Sequence, residues 1–178
     1  SPAAPGHTGE MQDLALGLGA RFGESNADNA FWAPVSVRKR KDGTTAAFPH
    51  FVMDRSKPGT VCVNQAGERF TNESSSYHLF GRAMFEANKA SPCIPCYIVT
   101  DAEGLKKYGL GMVRMTDRDY APFIADGYLV KGETLAELEG KLNIPVGALE
   151  RTVADMNAFA KTGVDSQFGR GTTDYHRV

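Results

Sequence analysis

Residues 59–88 read GTVCVNQAGERFTNESSSYHLFGRAMFEAN, and the order of patterns in them decides the fold. Thr60 to Asn64 alternates, with Val61 and Val63 on one face. Gln65-Ala66-Gly67 then supplies turn residues and Glu68-Arg69-Phe70 returns, which predicts a β-hairpin. Ser74, Ser75 and Ser76 offer side-chain oxygens to the bare amides that open a helix, and Tyr77, Phe80, Met84 and Ala87 fall on one helical stripe. Hairpin, tight corner and amphipathic helix follow in that order, with Tyr77 in the first helical turn on its inward side.

Upstream, Gly6-His7-Thr8-Gly9-Glu10 leads into a helical pattern that puts Met11, Leu14, Ala15 and Leu18 on one face. A Gly-rich turn that aims a helix N-terminus at a ligand suits a phosphate or a flavin edge. Arg38-Lys39-Arg40-Lys41 runs into Asp42-Gly43, a hairpin tip or loop whose charges are solvated. Strands are expected over Ala46 to Met53 and Thr60 to Phe70, and again over Cys96 to Thr100 after the loop marked by Pro92 and Pro95. Asp101 caps a short helix to Tyr108, stopped by Gly109 and Gly111. Arg114 to Asp126 reads as irregular, and Tyr128-Leu129-Val130 as a short strand. Thr134 and Glu137 form a capping box for a helix from Leu135 to about Asn143. Pro145 starts the strongest helix, with Leu149, Val153, Met156 and Ala160 on one stripe and Gly163 beyond its end. Strands followed by helices without βαβ alternation give an α+β class, a small mixed sheet with flanking helices.

The composition narrows function. At 178 residues, with 42% apolar and 23% charged residues and a net charge of −1, the chain has no field to hold nucleic acid or an anionic membrane. Neither an apolar run long enough to span a membrane nor a secretory signal occurs. Cys93 and Cys96 are the one close cysteine pair, but they precede a strand rather than open a helix, and a zinc site would need further ligands that no second motif supplies. No metal is expected, and three thiols suit a reducing, cytoplasmic compartment.

Gly67-Glu68-Arg69-Phe70, Asn72-Glu73 and Tyr77-His78 together resemble the substrate-capping domain of the fumarate reductase/succinate dehydrogenase flavoprotein superfamily. The likeness is greatest to its 3-ketosteroid dehydrogenase branch. Phe31-Trp32-Ala33-Pro34, Phe48-Pro49-His50, Tyr108-Gly109-Leu110-Gly111 and Phe168-Gly169-Arg170-Gly171 followed by Tyr175 agree with that branch in order. The resemblance implies an excised piece: residues 1 to about 30 from a flavin-binding domain, and 31–178 as the cap. A GxGxxG turn is missing, so this piece alone is expected neither to hold FAD nor to turn over. Thr8, Gly9 and Glu10 match a flavin-side Thr-Gly-Asp-Gly stretch, with Glu10 for its Asp and Met11 for its second Gly. With Glu73, these are the expected cofactor positions; Phe31, Trp32, Phe48, Phe51 and Phe80 offer aromatic area of the kind that buries a flat apolar ligand, and Phe31, Trp32 and Phe80 are the expected substrate positions.

The implied chemistry is desaturation next to a ketone carbonyl, with hydride going to FAD and a proton to a tyrosine. In fumarate-handling members, the proton group is an arginine four residues after the Glu of Asn-Glu. Here that position is Tyr77. Their His-Pro histidine is replaced by Ala33, and their Glu and Arg before the hairpin align with Met53 and Ser56, Asp54 and Arg55 being one residue away. A dianion needs fixed guanidinium charge, whereas a small apolar or steroid-like ketone does not. The expected partners are therefore such a ketone and the flavin domain of the same chain, with no nucleic acid and no membrane span. A fumarate-type reductase of an unsaturated acid, or a module without catalysis in isolation, are the alternatives. A phenol has a pKa of about 10 and a helix N-terminus contributes only about 0.3–1 kcal/mol, so the Tyr77 hydroxyl needs help from a second group to act as a base. His78, about 100° around the helix, is not assigned catalysis.

Overall fold

The computed structural model describes residues 4–24, 26–28 and 30–177. They form two units, Ser1–Phe31 and Trp32–Val178. In the first, α1 (Glu10–Gly17) starts after Gly9, whose φ is 103°, and its apolar residues Met11 and Leu14 are exposed, as is Leu18 at the C-cap.

The second unit opens with β1 (Val35–Lys39) and β2 (Thr45–Pro49), paired antiparallel from Val35↔Pro49 to Lys39↔Thr45. Asp42 closes the tip, its Oδ1 accepting from Thr44 N at 2.9 Å and Thr44 Oγ1 at 2.6 Å. The strand expected to run to Met53 ends at Pro49, and α2 (Val52–Arg55) follows. His50 and Asp54 explain the change: their side chains meet at 2.5 Å with the i,i+4 spacing of a helical turn.

All four residues of β3 (Thr60–Val63) are buried, Cys62 as fully as Val61 and Val63. Its partner is not Glu68-Arg69-Phe70, as the hairpin reading had it, but β4 (Tyr97–Thr100), antiparallel from Thr60↔Thr100 to Val63↔Tyr97. Asn64 turns the chain away. Its Oδ1 accepts from Ala66 N at 3.0 Å and Glu68 N at 2.9 Å, and only one ladder-like bond, Asn64 N to Glu68 O at 2.9 Å, survives. Two separate antiparallel ladders thus replace the single mixed sheet, while the α+β class stands.

The helices follow their local signals. Ser76 caps α3 (Tyr77–Ala87) by accepting from Leu79 N, and Asp101 Oδ1 caps α4 (Ala102–Tyr108) by accepting from Gly104 N at 2.6 Å. A short α5 (Ala121–Ala125) lies inside the stretch expected to be irregular. The strand expected at Tyr128 does not form. Leu129 N donates back to Phe123 O at 2.9 Å and Tyr128 N to Asp126 Oδ1 at 3.1 Å, so the segment closes a turn. Thr134 Oγ1 caps α6 (Leu135–Leu142) at Glu137 N, 3.1 Å, while the Glu137 carboxylate reaches back to Glu133 N at 2.8 Å. Finally, α7 (Ala148–Thr162) begins three residues after Pro145.

Buried Glu139 sets that start. Its carboxylate accepts from Gly147 N at 2.8 Å, Leu149 N at 2.7 Å and Glu150 N at 3.2 Å, capping α7 from α6, and the Gly147 amide above all holds its pKa below the usual carboxylate range. Val61 and Val63 pack with Ile144, Ala148 and Leu149 to make the core. Full burial of Leu149 alone contributes about 1.5–3 kcal/mol. The Gly67 turn lies against this helix start: at φ 78° it takes a left-handed turn, and a Cβ there would sit 2.7 Å from Ile144 Cγ2.

Candidate active site

The stretches singled out in sequence meet in pairs. Gly67-Glu68-Arg69-Phe70 and Asn72-Glu73 meet Phe168-Gly169-Arg170-Gly171 in a buried ionic joint. Arg69 donates to Glu73 through Nε at 2.9 Å and Nη2 at 2.8 Å, and to Asp165 through Nη1 at 3.0 Å and Nη2 at 2.8 Å. Its guanidinium also covers the Phe168 ring, 5.0 Å from the centroid. Burial would lower the Arg69 pKa, but the bonds to Glu73 and Asp165 reverse the sign and raise it. For Asp165, burial pushes the carboxyl upward, and Arg69 with the Arg170 and Phe168 amides pulls it well below the usual range. Arg170 ties three carbonyls, Thr60 O at 2.7 Å, Ser56 O at 2.8 Å and Lys57 O at 3.0 Å, and stands 3.6 Å from Glu73 Oε2. Asn72 closes the joint with a 3.2 Å bond to Phe168 O.

At a second joint, Phe48-Pro49-His50 meets Tyr108-Gly109-Leu110-Gly111. Met112 N donates to Tyr128 Oη at 3.0 Å, Tyr128 Oη meets Ser36 Oγ at 2.7 Å, Ser36 Oγ meets His50 Nε2 at 2.7 Å, and His50 Nδ1 meets Asp54 Oδ2. The Met112 amide can only donate, so Tyr128 Oη accepts from it. Gly111 belongs here because a Cβ would lie 2.3 Å from Tyr128 Oη.

The third joint brings Trp32-Ala33-Pro34 onto α3. Trp32 N donates to His78 Nδ1 at 3.1 Å, its Cβ crosses Gly81, and its ring meets Phe85 edge-on at 5.1 Å. His78, Gly81 and Phe85 are one helical stripe, so α3 carries Trp32 along its length.

Tyr77 stands at the end of that helix. Expected to face inward, it is 38% exposed, while Phe80 takes the core position on the stripe. Its ring meets Phe51 edge-on at 5.3 Å. Phe80, expected at a substrate, is 1% exposed, packed between Phe70 at 5.3 Å and the Arg55 guanidinium at 4.2 Å. Arg55 is itself enclosed and donates to His50 O at 3.2 Å, Glu73 O at 2.7 Å and Ser75 O at 2.9 Å. Met53 is exposed, and the Ser56 carbonyl belongs to Arg170. Phe31, in the first unit, is 82% exposed, and Trp32 is half-buried. Among the described residues no group of His, Cys, Asp and Glu is placed to hold a metal ion, and no helix is long and apolar enough to cross a membrane.

Residues 1–178 match the FAD binding domain family. The chain belongs to that family. It is 36% identical over 171 residues to 4-oxocyclohex-2-ene-1-carboxylate 5-dehydrogenase of Sinomonas cyclohexanicum, covering 96% of this chain and 29% of that protein. Against 3-oxosteroid 1-dehydrogenase of Mycobacterium tuberculosis it is 32% identical over 180 residues, covering 98% of this chain and 30% of the relative. The fold matches 3-ketosteroid delta1-dehydrogenase from Sterolibacterium denitrificans, solved in complex with 1,4-androstadiene-3,17-dione. The TM-score is 0.81 at 26% identity, covering 99% of this chain and 31% of that one. The resemblance drawn from the five stretches holds, and the chain spans about three tenths of the length of these relatives.

FAD is the cofactor of this family, and Thr8, Gly9 and Glu10, the positions expected beside it, stand at the start of α1. No side-chain bond caps α1, and Gln12 N and Asp13 N donate to Gly9 O at 2.9 and 3.0 Å. The Thr8 hydroxyl donates to the Glu10 carboxylate and, as the main cause, lowers its pKa. A charged Glu10 suits the hydroxyl or ring N–H donors of a flavin nucleotide better than its phosphates. Glu73, the other expected cofactor position, is 0% exposed and both of its oxygens face Arg69. Sequence reasoning missed Asp165, the three carbonyls held by Arg55, and the Ser36–Tyr128 contact. The i,i+4 spacing of His50 and Asp54 was the one signal available for the second joint.

Proposed function

We propose that this chain is the substrate-capping part, with a short flavin-domain segment at residues 1–30, of an FAD-dependent dehydrogenase that places a double bond next to the carbonyl of a small apolar or steroid-like ketone. When bound, FAD supplies hydride acceptance at its N5. Tyr77 takes the proton from the neighbouring carbon, and Phe31 and Trp32 line the apolar approach. Thr8, Gly9 and Glu10 face the flavin edge, and the flavin domain of the same chain is the partner of the exposed α1 face. Glu73 supports the site from within, by fixing Arg69.

The observation that carries this reading is the contrast in how polar groups near α3 are used. Arg55, Arg69 and Arg170 are all turned onto carbonyls or carboxylates, whereas Tyr77 presents a phenol beside an aromatic ring. A dicarboxylate would need guanidinium charge directed outward. A neutral ketone needs apolar area and a proton acceptor, and the names of the relatives support that class. The free thiols Cys62, Cys93 and Cys96 accord with a cytoplasmic setting.

Tyr77→Phe in the full-length protein tests the assignment. The ring and its contact with Phe51 remain, and the rate of flavin reduction by a ketosteroid should fall by about 10²–10⁴. A rate within about threefold of wild type, at unchanged flavin content, returns Tyr77 to a packing role. Turnover of fumarate but not of any cyclic ketone would replace the substrate class.

A further inference from the structure

The proton step assigned to Tyr77 leaves its neighbour His78 without a role, and His78, about 100° further around α3, serves a different segment. Its Nδ1 accepts from the Trp32 amide at 3.1 Å. An amide N–H can only donate, so Nδ1 carries no proton in this contact. Trp32 belongs to no helix or strand, and no strand ladder fixes its backbone. One turn along the same face of α3, Gly81 makes room for the Trp32 side chain: a Cβ on Gly81 would stand 2.6 Å from Trp32 Cβ. A turn further, the Phe85 ring meets the indole edge-on at 5.1 Å. Gly81 thus sets how closely Trp32 approaches the helix, and Phe85 how its ring is tilted. Apolar contacts of this kind are weakly directional and permit sliding along the helix. The bond from His78 is directional and reaches the backbone, so it sets the register of Trp32 on α3.

We propose that His78 is a positioning residue that fixes Trp32 in the wall of the substrate approach, and so sets the binding of an apolar ketone without touching it. The inference rests on the reading of Trp32 as a lining residue. An indole offers a large rigid apolar face, and its displacement alters the fit of a flat apolar ligand. The two neighbours on α3 then divide the labour: Tyr77 meets Phe51 and handles the proton, while His78 meets Trp32 and holds the wall. Loss of the His78 bond weakens the grip on substrate in the ground and transition states alike, which raises KM and spares kcat.

Full-length protein carrying His78→Leu, His78→Asn or Trp32→Ala tests this. His78→Leu removes the acceptor and should raise KM for a ketosteroid by roughly 3–10-fold, the worth of one such bond, with kcat within about twofold of wild type. Asparagine keeps an acceptor oxygen near the place of Nδ1 and should bring KM back to within about twofold. In a Trp32→Ala background, His78→Leu should raise KM no further. Fluorotryptophan labelling, with the Trp32 signal assigned by its loss in Trp32→Ala, gives a readout apart from turnover: the fluorine resonance should shift or broaden in His78→Leu and lie closer to wild type in His78→Asn. Where the leucine variant fails to fold, His78→Ala removes the same acceptor with less bulk. A fallen kcat at unchanged KM, a Trp32 resonance alike in wild type and His78→Leu, or a further rise in KM in the Trp32→Ala background would overturn the positioning role. An unchanged KM in Trp32→Ala would instead overturn the lining reading, and the fluorine resonance would still decide whether His78 holds Trp32.

Discussion

Glu73 and Tyr77 are four residues apart on one short stretch and live in opposite surroundings. Glu73 is enclosed at 0% exposure with Arg69 across it, and Tyr77 stands 38% exposed at the mouth of α3. The first is bound to groups distant in sequence, Asp165 and Arg170 sharing its joint; the second touches a ring and little else within reach of the described contacts. At this corner Arg69, Glu73, Asp165 and Arg170 hold one another, while the Tyr77 ring is part exposed. A fixed corner is what the proton acceptor proposed for Tyr77 would require, because its position is then set by the fold rather than by its own contacts.

Breaking the buried side should give the largest effect. Glu73→Ala leaves Arg69 short of one of its two carboxylates in an enclosed site, and chemical denaturation should show a loss of about 3–5 kcal/mol. A loss below about 1 kcal/mol would mean that water reaches the joint and that the contrast with Tyr77 is one of degree.

Arg170→Lys comes next. One ammonium cannot serve Thr60, Ser56 and Lys57 carbonyls together, so stability should drop by about 1–3 kcal/mol without a change in substrate preference. A changed preference at wild-type stability would move Arg170 from the framework to the substrate.

Acid should expose the same joint. The folded Asp165 pKa lies below its unfolded value of about 3.9, so its contribution is complete above that pH and is lost as pH falls toward the folded pKa. Stability measured from pH 6 down to about pH 2 should fall below about pH 4, and Asp165→Asn should flatten that slope. An equally steep slope in the variant would assign the acid sensitivity to other carboxylates.

Tyr77→Phe should give the smallest change in stability, within about 0.5 kcal/mol, since an exposed position loses little with its hydroxyl. That near-neutrality, set against a large drop in rate, is the sharpest form of the comparison.

The amino-acid sequence by itself determined whatever a few neighbouring residues can settle. Ser76, Asp101 and Thr134 cap helices within three residues of themselves, Asp42-Gly43 forms the tip of β1 and β2, and Gly163 ends α7, so these features stood in the text of the chain. Tyr77 was readable as the candidate proton group through its place in the stretch, though not its exposure. Only the tertiary structure decided what depends on distant partners. β3 pairs with β4 rather than with the nearer Glu68-Arg69-Phe70, because Asn64 closes a turn and Arg69 is drawn to Asp165, 96 residues away. The start of α7 is set by a glutamate on α6, and the Tyr128 segment gives up strand form for a bond to Ser36, 92 residues earlier. Local propensities differ by about 1 kcal/mol, and a buried ion pair or a satisfied buried carboxylate outweighs them; their partners have no signature in a window of sequence.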